Sequence, residues 1–183
     1  MKPLDSASTQ LGTAVVTIIA KNYLAKARVL MDSVKESDPQ FLRIVLLVDQ
    51  AEGCFDPSQE NFILVSSEEL DIPNSPWFHF KYSILELSTA VKPYFLRWLI
   101  RKWHLNKIIY LDPDICVYAS LARVSDALDD SNIVLTPHLT SELDDDRQPS
   151  ELQILRTGAY NLGFIAVKAT AEVDKFQIGR AHV

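Results

Sequence analysis

Two aspartates one residue apart carry the most specific chemistry in this sequence. Asp112 and Asp114 flank Pro113 and follow the apolar run Ile108-Ile109-Tyr110-Leu111, which is typical of a buried strand. In an extended backbone, residues i and i+2 face the same way with their Cα atoms roughly 6.5 to 7 Å apart. Two carboxylates at that separation repel each other by about 2 kcal/mol at an effective dielectric of about 20.

A divalent cation between the two carboxylates relieves this repulsion. Mg²⁺ and Mn²⁺ prefer hard oxygen ligands and also bind phosphate oxygens. Pro113 restricts the backbone between the aspartates and helps to fix their relative direction. The alternative is a polar turn whose two aspartates are solvated or cap a neighbouring segment. The position directly after an apolar strand favours a metal site at Asp112 and Asp114, with Mn²⁺ or Mg²⁺ as the cofactor.

Short apolar runs alternate with helical patterns along the chain, and this predicts an α/β protein. We expect a Rossmann-like, mostly parallel sheet with helices on both faces, in which ligands bind beyond the carboxyl ends of the strands. Residues 66–80 contain several turn formers and are expected to be irregular. The predicted strands are residues 14–20, 41–48, 62–65, 107–111, 133–136 and 163–167.

Two stretches have the spacing of apolar residues that is typical of helices. The first covers residues 24–34, and the second covers residues 82–103 in two pieces. Ser88 or Thr89 is expected to cap the second piece, which places Pro93 near its first turn, where proline is tolerated.

Four segments in order resemble the nucleotide-diphosphosugar glycosyltransferases of the GT-A fold, and the resemblance covers about residues 14 to 168. The apolar strand followed by Asp-x-Asp resembles their signature. The closest resemblance is to the retaining family that includes glycogenin and the lipopolysaccharide galactosyltransferases. Ile19-Ala20-Lys21-Asn22-Tyr23 resembles this family's first strand-to-helix turn. Ser88-Thr89-Ala90-Val91-Lys92-Pro93-Tyr94 resembles its helix with a basic residue near the diphosphate. Tyr160-Asn161-Leu162-Gly163-Phe164-Ile165-Ala166-Val167 resembles its Phe-Asn-small-Gly strand.

The resemblance implies a nucleotide site at the first strand-to-helix turn. Ala20, Asn22 and Tyr23 would contact the uracil and the ribose, and an ordinary helix cap with a packed tyrosine is the alternative. Lys92 would place its ammonium group against the diphosphate as a compact charge. A solvated helix lysine is the alternative for that position.

The sugar and the acceptor are expected near the strand at 163–167. Asn161 offers both a donor and an acceptor to sugar hydroxyls, and Gly163 permits close approach of the backbone. His138 follows another strand and lines the pocket in this interpretation, whereas a structural histidine is the alternative. No nucleophile or base can be assigned, so the sequence does not decide between retention and inversion.

These features predict a divalent-metal-dependent glycosyltransferase that moves a sugar from a nucleoside-diphosphate donor, of the UDP-sugar class, to an acceptor hydroxyl. The acceptor would be a glycan, a lipid or a protein. A non-catalytic truncated fragment or a nucleotide-binding module is the main alternative. An Asp-x-Asp phosphohydrolase is less favoured, because that chemistry places its nucleophile after the first strand and not after the fourth.

Residues 1–177 are expected to form one nucleotide-sugar-binding domain that is incomplete at its C-terminus. Residues 178–183 resemble a translated sequencing adapter and are excluded from this domain. A third metal ligand, which the resemblance places further downstream as a histidine, would lie beyond this sequence.

Composition excludes several other classes of function. The chain has 24 acidic and 18 basic residues among 183, and it lacks the Lys/Arg cluster of a nucleic-acid-binding protein. The N-terminus lacks the apolar core of a secretory signal, and the apolar runs are much shorter than the roughly 20 residues of a membrane span. Two cysteines, both expected to be reduced, complete the case for a cytoplasmic protein with no transmembrane segment. Peripheral contact with a membrane stays open.

Overall fold

A computed structural model of the chain describes residues 11–51, 53, 55–141 and 150–180. Cys54 and the last three residues of the adapter-like tail lie outside the described residues. Within the described part, the strands are β1 (Leu11–Ile19), β2 (Leu42–Leu47), β3 (Ile63–Ser66), β4 (Leu105–Leu111), β5 (Ile133–Pro137) and β6 (Tyr160–Lys168). The α-helices there are α1 (Leu24–Ser37), α2 (Ser75–Lys81), α3 (Ile84–Ala90), α4 (Lys92–Trp103), α5 (Ala122–Asp130), α6 (Glu151–Thr157) and α7 (Ala171–Arg180).

The six strands of the described residues form one sheet in the order β3-β2-β1-β4-β6-β5. The first four strands in the chain are parallel to one another, whereas β6 is antiparallel to both β4 and β5. The predicted mostly parallel sheet is therefore confirmed. Because β6 runs against β4, the beginning of β6 lies beside the end of β4. This reversal brings the segment around Gly163 next to Asp112.

The central strands are apolar on both faces because helices cover the sheet on both sides. Val15 and Ile19 of β1 pack with α1 and α5, and the alternate residues Val16 and Ile18 pack with α3, α4 and α7. The period of two along each strand sends neighbouring side chains to opposite helical layers. In β4, this alternation turns Tyr110 toward the layer that contains α4.

Two local predictions about helices were wrong. Residues 66–80 contain helix α2, because Pro76 occupies its first turn, where the missing N–H costs no hydrogen bond. Helix α4 begins at Lys92, so neither Ser88 nor Thr89 caps it. Ser88 lies inside α3, where its hydroxyl donates to the carbonyl of Ile84 at 2.9 Å. The placement of Pro93 in the first turn of the second piece is confirmed.

The loop between β4 and α5 is anchored to α1. The amide of Val117 donates to Ser33 Oγ at 3.0 Å, and the hydroxyl of Ser120 donates to Asp38 at 2.6 Å. The amide of Leu121 donates to the second carboxylate oxygen of Asp38 at 2.8 Å. These bonds fix the path of the chain as it leaves the paired aspartates. No helix among the described residues is both long enough and apolar enough to cross a membrane.

Candidate functional site

The paired aspartates lie on a turn at the carboxyl end of β4. The amide of Ile115 donates to the carbonyl of Asp112 at 3.2 Å, and Pro113 occupies the second position of this turn, where its fixed φ is favourable. The extended geometry assumed for these residues in the sequence is therefore wrong. The Asp112 side chain is 43% exposed and Asp114 is exposed, so both carboxylates are open to a ligand.

Both carboxylates act on the same tyrosine. The Tyr110 hydroxyl donates to Asp112 Oδ1 at 2.6 Å. Burial of the phenol, the negative charge of Asp112 with this hydrogen bond, and the charge of Asp114 together raise the pKa of Tyr110 above its ordinary value. The phenol therefore stays protonated and is the donor in its hydrogen bond to Asp112.

Lys92 lies beneath this pair at the first residue of α4. Its side chain is 9% exposed, and its ammonium group lies 3.9 Å from Asp112 Oδ1. The same group donates to the carbonyl of Leu162 at 3.0 Å and lies 3.8 Å from the centre of the Tyr110 ring. Lys92 therefore links α4 to β4 and β6 and acts on the site from its buried side.

Gly163 and Asn161 approach the aspartates from β6. The amide of Asp112 donates to the carbonyl of Gly163 at 2.8 Å. A Cβ atom at Gly163 would lie 2.9 Å from Asp112 Oδ2 and 3.1 Å from Asn161 Oδ1. The Gly163 amide also donates to Asn161 Oδ1 at 2.9 Å, so the oxygen of the Asn161 side chain is bound within the protein. The structure thus brings Asn161, Gly163 and Asp112 together.

The turn after β1 lies at the same edge of the sheet. Ala20 is buried, whereas Asn22 and Tyr23 are exposed. The amide of Lys21 donates to both carboxylate oxygens of Asp49, at 2.9 and 3.2 Å. Asp49 follows β2 and therefore holds the turn in place from the neighbouring strand.

His138 lies at the same edge but apart from the aspartates. It follows β5, its side chain is exposed, and its amide donates to the carbonyl of Ala159 at 3.0 Å. Strand β6 separates β5 from β4, and with strands about 4.8 Å apart this places the two strands about 10 Å from each other. A ligand that reached both His138 and Asp112 would have to extend across β6.

The donor set of the pair suits a hard divalent cation that keeps several ligands from outside the protein. Within the ranges that the structure describes, no group of three or more histidine, cysteine, aspartate or glutamate side chains is arranged to hold a metal. Mg²⁺ is often bound by one or two carboxylates, with water and substrate phosphates in its other positions. Asp112 and Asp114 fit that pattern because both are accessible.

Two residues at this site were not identified from the sequence. Tyr110 was assigned only to a strand, although its position two residues before Asp112 places both side chains on one face. A tyrosine in an otherwise aliphatic strand was the available signal. Asp49 directly follows a strand, so the rule that strand ends carry the ligand-binding residues could have found it.

The chain matches no known family model, and no curated protein matches it. Its fold is nevertheless similar to that of solved enzymes with low sequence identity. The galactosyltransferase LgtC, solved with donor and acceptor sugar analogues, has a TM-score of 0.56 at 20% identity over 90% of this chain. The chain spans only 59% of the length of that protein.

Two further solved structures have the same fold. Mouse xyloside xylosyltransferase 1 has a TM-score of 0.51 at 13% identity, covering 93% of this chain and 71% of its own. The 4-diphosphocytidyl-2C-methyl-D-erythritol synthase of Anaerococcus prevotii has a TM-score of 0.54 at 13% identity, covering 95% and 78%. At these identities the likeness establishes the fold: a mixed α/β fold of the GT-A nucleotide-sugar transferase type.

Proposed function

We propose that this chain is the donor-binding part of a divalent-metal-dependent glycosyltransferase. It would transfer a sugar from a nucleoside diphosphate, of the UDP-sugar class, to an acceptor hydroxyl. The observation that carries this proposal is the Asp112 carboxylate at the sheet edge, held by Tyr110 and adjoining both Asn161 and the exposed Asp114. The likeness to enzymes named for galactosyl and xylosyl transfer supports it.

Asp112 and Asp114 are the residues that would hold Mn²⁺ or Mg²⁺. Such an ion, when bound, neutralises the charge that develops on a departing diphosphate. Lys92 adds a positive charge from beneath Asp112, and because its side chain is nearly buried, water screens that charge weakly. The site therefore offers negative oxygens for the cation and a fixed positive charge behind them.

The other residues at this edge would orient the organic parts of the donor. Ala20, Asn22 and Tyr23 form the surface proposed for the nucleoside, and their turn is held by Asp49 through the amide of Lys21. Asn161 would donate from its amide nitrogen to a sugar hydroxyl, since its oxygen is already bound by Gly163. Gly163 leaves the space that the Asn161 and Asp112 side chains occupy beside the proposed sugar, and the exposed His138 is proposed for the acceptor side.

Nucleotidyl transfer is a second candidate function. It is favoured by the likeness to the diphosphocytidyl synthase, which covers 95% of this chain. Such an enzyme binds a nucleoside triphosphate, whereas a glycosyltransferase retains the nucleoside diphosphate that leaves the sugar. A nucleotide-binding module without activity is the third candidate. Nucleotide preference separates the two transferases from each other, and an assay of sugar transfer separates an enzyme from an inactive module.

The test is a thermal-shift panel of UDP, GDP, ADP, CDP and CTP with and without Mn²⁺. The proteins are the wild type, Asp112→Asn, Asp114→Asn and a control, Asp126→Asn, which changes an exposed aspartate of α5. We expect one nucleoside diphosphate with Mn²⁺ to stabilise the wild type and the control, by about 2.7 kcal/mol at about 100 times its Kd. Both site variants should lose this stabilisation.

Other outcomes would contradict the proposal in distinct ways. A response to CTP that exceeds the response to every diphosphate would favour nucleotidyl transfer. Stabilisation by UDP that is equal in the wild type and both site variants, with or without Mn²⁺, would remove the two aspartates from the site. A wild type that responds to no nucleotide would leave the non-catalytic fragment as the better reading.

A further inference from the structure

The two oxygens of the Asp112 carboxylate have different surroundings. Oδ1 accepts a hydrogen bond from the Tyr110 hydroxyl at 2.6 Å and lies 3.9 Å from the Lys92 ammonium group. Oδ2 is turned toward β6, where the missing side chain of Gly163 leaves room for it. One oxygen is therefore bound within the protein, and the other lies beside the backbone at the open edge.

Tyr110 is itself held firmly. It is 3% exposed in β4, and its ring packs with the apolar residues beneath α4. The Lys92 ammonium group lies over the face of that ring at 3.8 Å and is fixed in turn by the carbonyl of Leu162. A buried tyrosine ring with two rotatable bonds holds its hydroxyl at a defined position. The carboxylate that accepts from this hydroxyl is therefore held in a defined orientation.

We propose that Tyr110 is a positioning residue for Asp112. Its hydroxyl binds Oδ1 and so leaves Oδ2 as the oxygen that binds the ligand. Lys92 supports this arrangement by holding the Tyr110 ring and by attracting the same carboxylate oxygen. The inference deepens the proposed function and rests on it, since the ligand of Asp112 is taken to be a divalent cation.

The physical reason for such a residue is the exposure of the site. A carboxylate that is 43% exposed at the end of a strand rotates freely unless a neighbour binds one of its oxygens. If the carboxylate is already held in one orientation, its side chain loses less conformational entropy when a cation binds. Hydrogen bonds to metal-binding carboxylates act in this way in proteins, and losing them weakens metal binding by about 10- to 100-fold.

The first experiment measures binding of Mn²⁺ alone, from the electron paramagnetic resonance signal of the free ion. Tyr110→Phe keeps the ring beneath Lys92 and removes only the hydroxyl. We expect its affinity for Mn²⁺ to fall by about 10-fold. Tyr82→Phe is the control, because the Tyr82 ring packs on Phe78 and lies outside the group formed by Tyr110, Asp112 and Lys92. Equal affinities for the wild type and Tyr110→Phe would overturn the inference.

The second experiment needs no metal. The melting temperatures of the wild type, Tyr110→Phe, Asp112→Ala and the double variant form a cycle that reports the contact between the two side chains. We expect the two shifts to be non-additive, since either change alone already breaks the hydrogen bond. Additive shifts would overturn the inference. If the wild type does not bind Mn²⁺ but the cycle is non-additive, the proposed function is contradicted. The positioning of Asp112 by Tyr110 would still be established.

Discussion

At the scale of single residues, the candidate site depends on a glycine, Gly163, as much as on its charged residues. Gly163 does not have the positive φ that favours glycine, so its role is to provide space. The space is used by Asp112 Oδ2 and Asn161 Oδ1, which lie 2.9 and 3.1 Å from the position of its missing Cβ. Any larger residue must displace one of these oxygens.

We therefore expect Gly163→Ala to impair binding far more than folding. Both displaced atoms are the ends of side chains, so the cost in unfolding free energy should stay below about 1 kcal/mol, under the usual range for overpacking a rigid core. Stabilisation by UDP with Mn²⁺ should nevertheless fall several-fold. Gly12→Ala is the matched control, because nothing lies within 4 Å of its added Cβ. Equal nucleotide responses in the two variants would contradict this account of Gly163.

At the scale of elements, the loop that follows the aspartate turn is anchored to helix α1. Asp38 is fully buried at the end of α1 and accepts hydrogen bonds from Ser120 and from the amide of Leu121. Together with Ser33, which binds the amide of Val117, it fixes the loop from β4 to α5. The site is therefore built on α1 as well as on the sheet.

Asp38→Ala should destabilise the protein by about 1–3 kcal/mol, because the partly buried amide of Leu121 and the hydroxyl of Ser120 would both lose their acceptor. Urea unfolding measures this change as a lower midpoint with an unchanged slope. Asp126→Ala, on the exposed side of α5, should leave the midpoint within about 0.5 kcal/mol of the wild type. Similar midpoints for the two variants would show that the anchor contributes nothing to stability.

The sequence predicts best the elements whose packed positions are apolar. The parallel strands and α1 are apolar wherever they pack, so their patterns are unambiguous. Helix α2 was missed because Pro76 reads as a turn former unless the start of the helix is already known. Asp112 was recognised because its position at a strand end implies exposure. The roles of Tyr110 and Lys92 depend on the contact between α4 and β4, which local patterns do not contain.

At the scale of the whole molecule, ion pairs as well as apolar packing join α7 to the body of the fold. Asp174 of α7 binds Arg97 at 2.9 Å and Arg101 at 2.7 Å, and both arginines belong to α4. Partial burial acts to raise the pKa of Asp174, but the hydrogen bonds and charges of Arg101 and Arg97 prevail and hold it below its ordinary value. Since α4 also carries Lys92, this pairing connects α7 to the helix that supports the site.

The lowered pKa of Asp174 makes the contact between α7 and α4 sensitive to acid. A carboxylate whose folded pKa is depressed stabilises the protein above its unfolded pKa of about 3.9 and loses that contribution as the pH falls toward the folded value. Asp174→Asn should therefore be less stable than the wild type at pH 7, by roughly 0.5–1 kcal/mol for partly exposed pairs. Urea unfolding at pH 7, 5, 4 and 3 should show this difference constant down to about pH 5 and shrinking below about pH 4. Asp126→Asn lacks these partners, so its difference from the wild type should not follow that course. A difference for Asp174→Asn that stays constant to pH 3 would mean that its charge plays no part in holding α7 against α4.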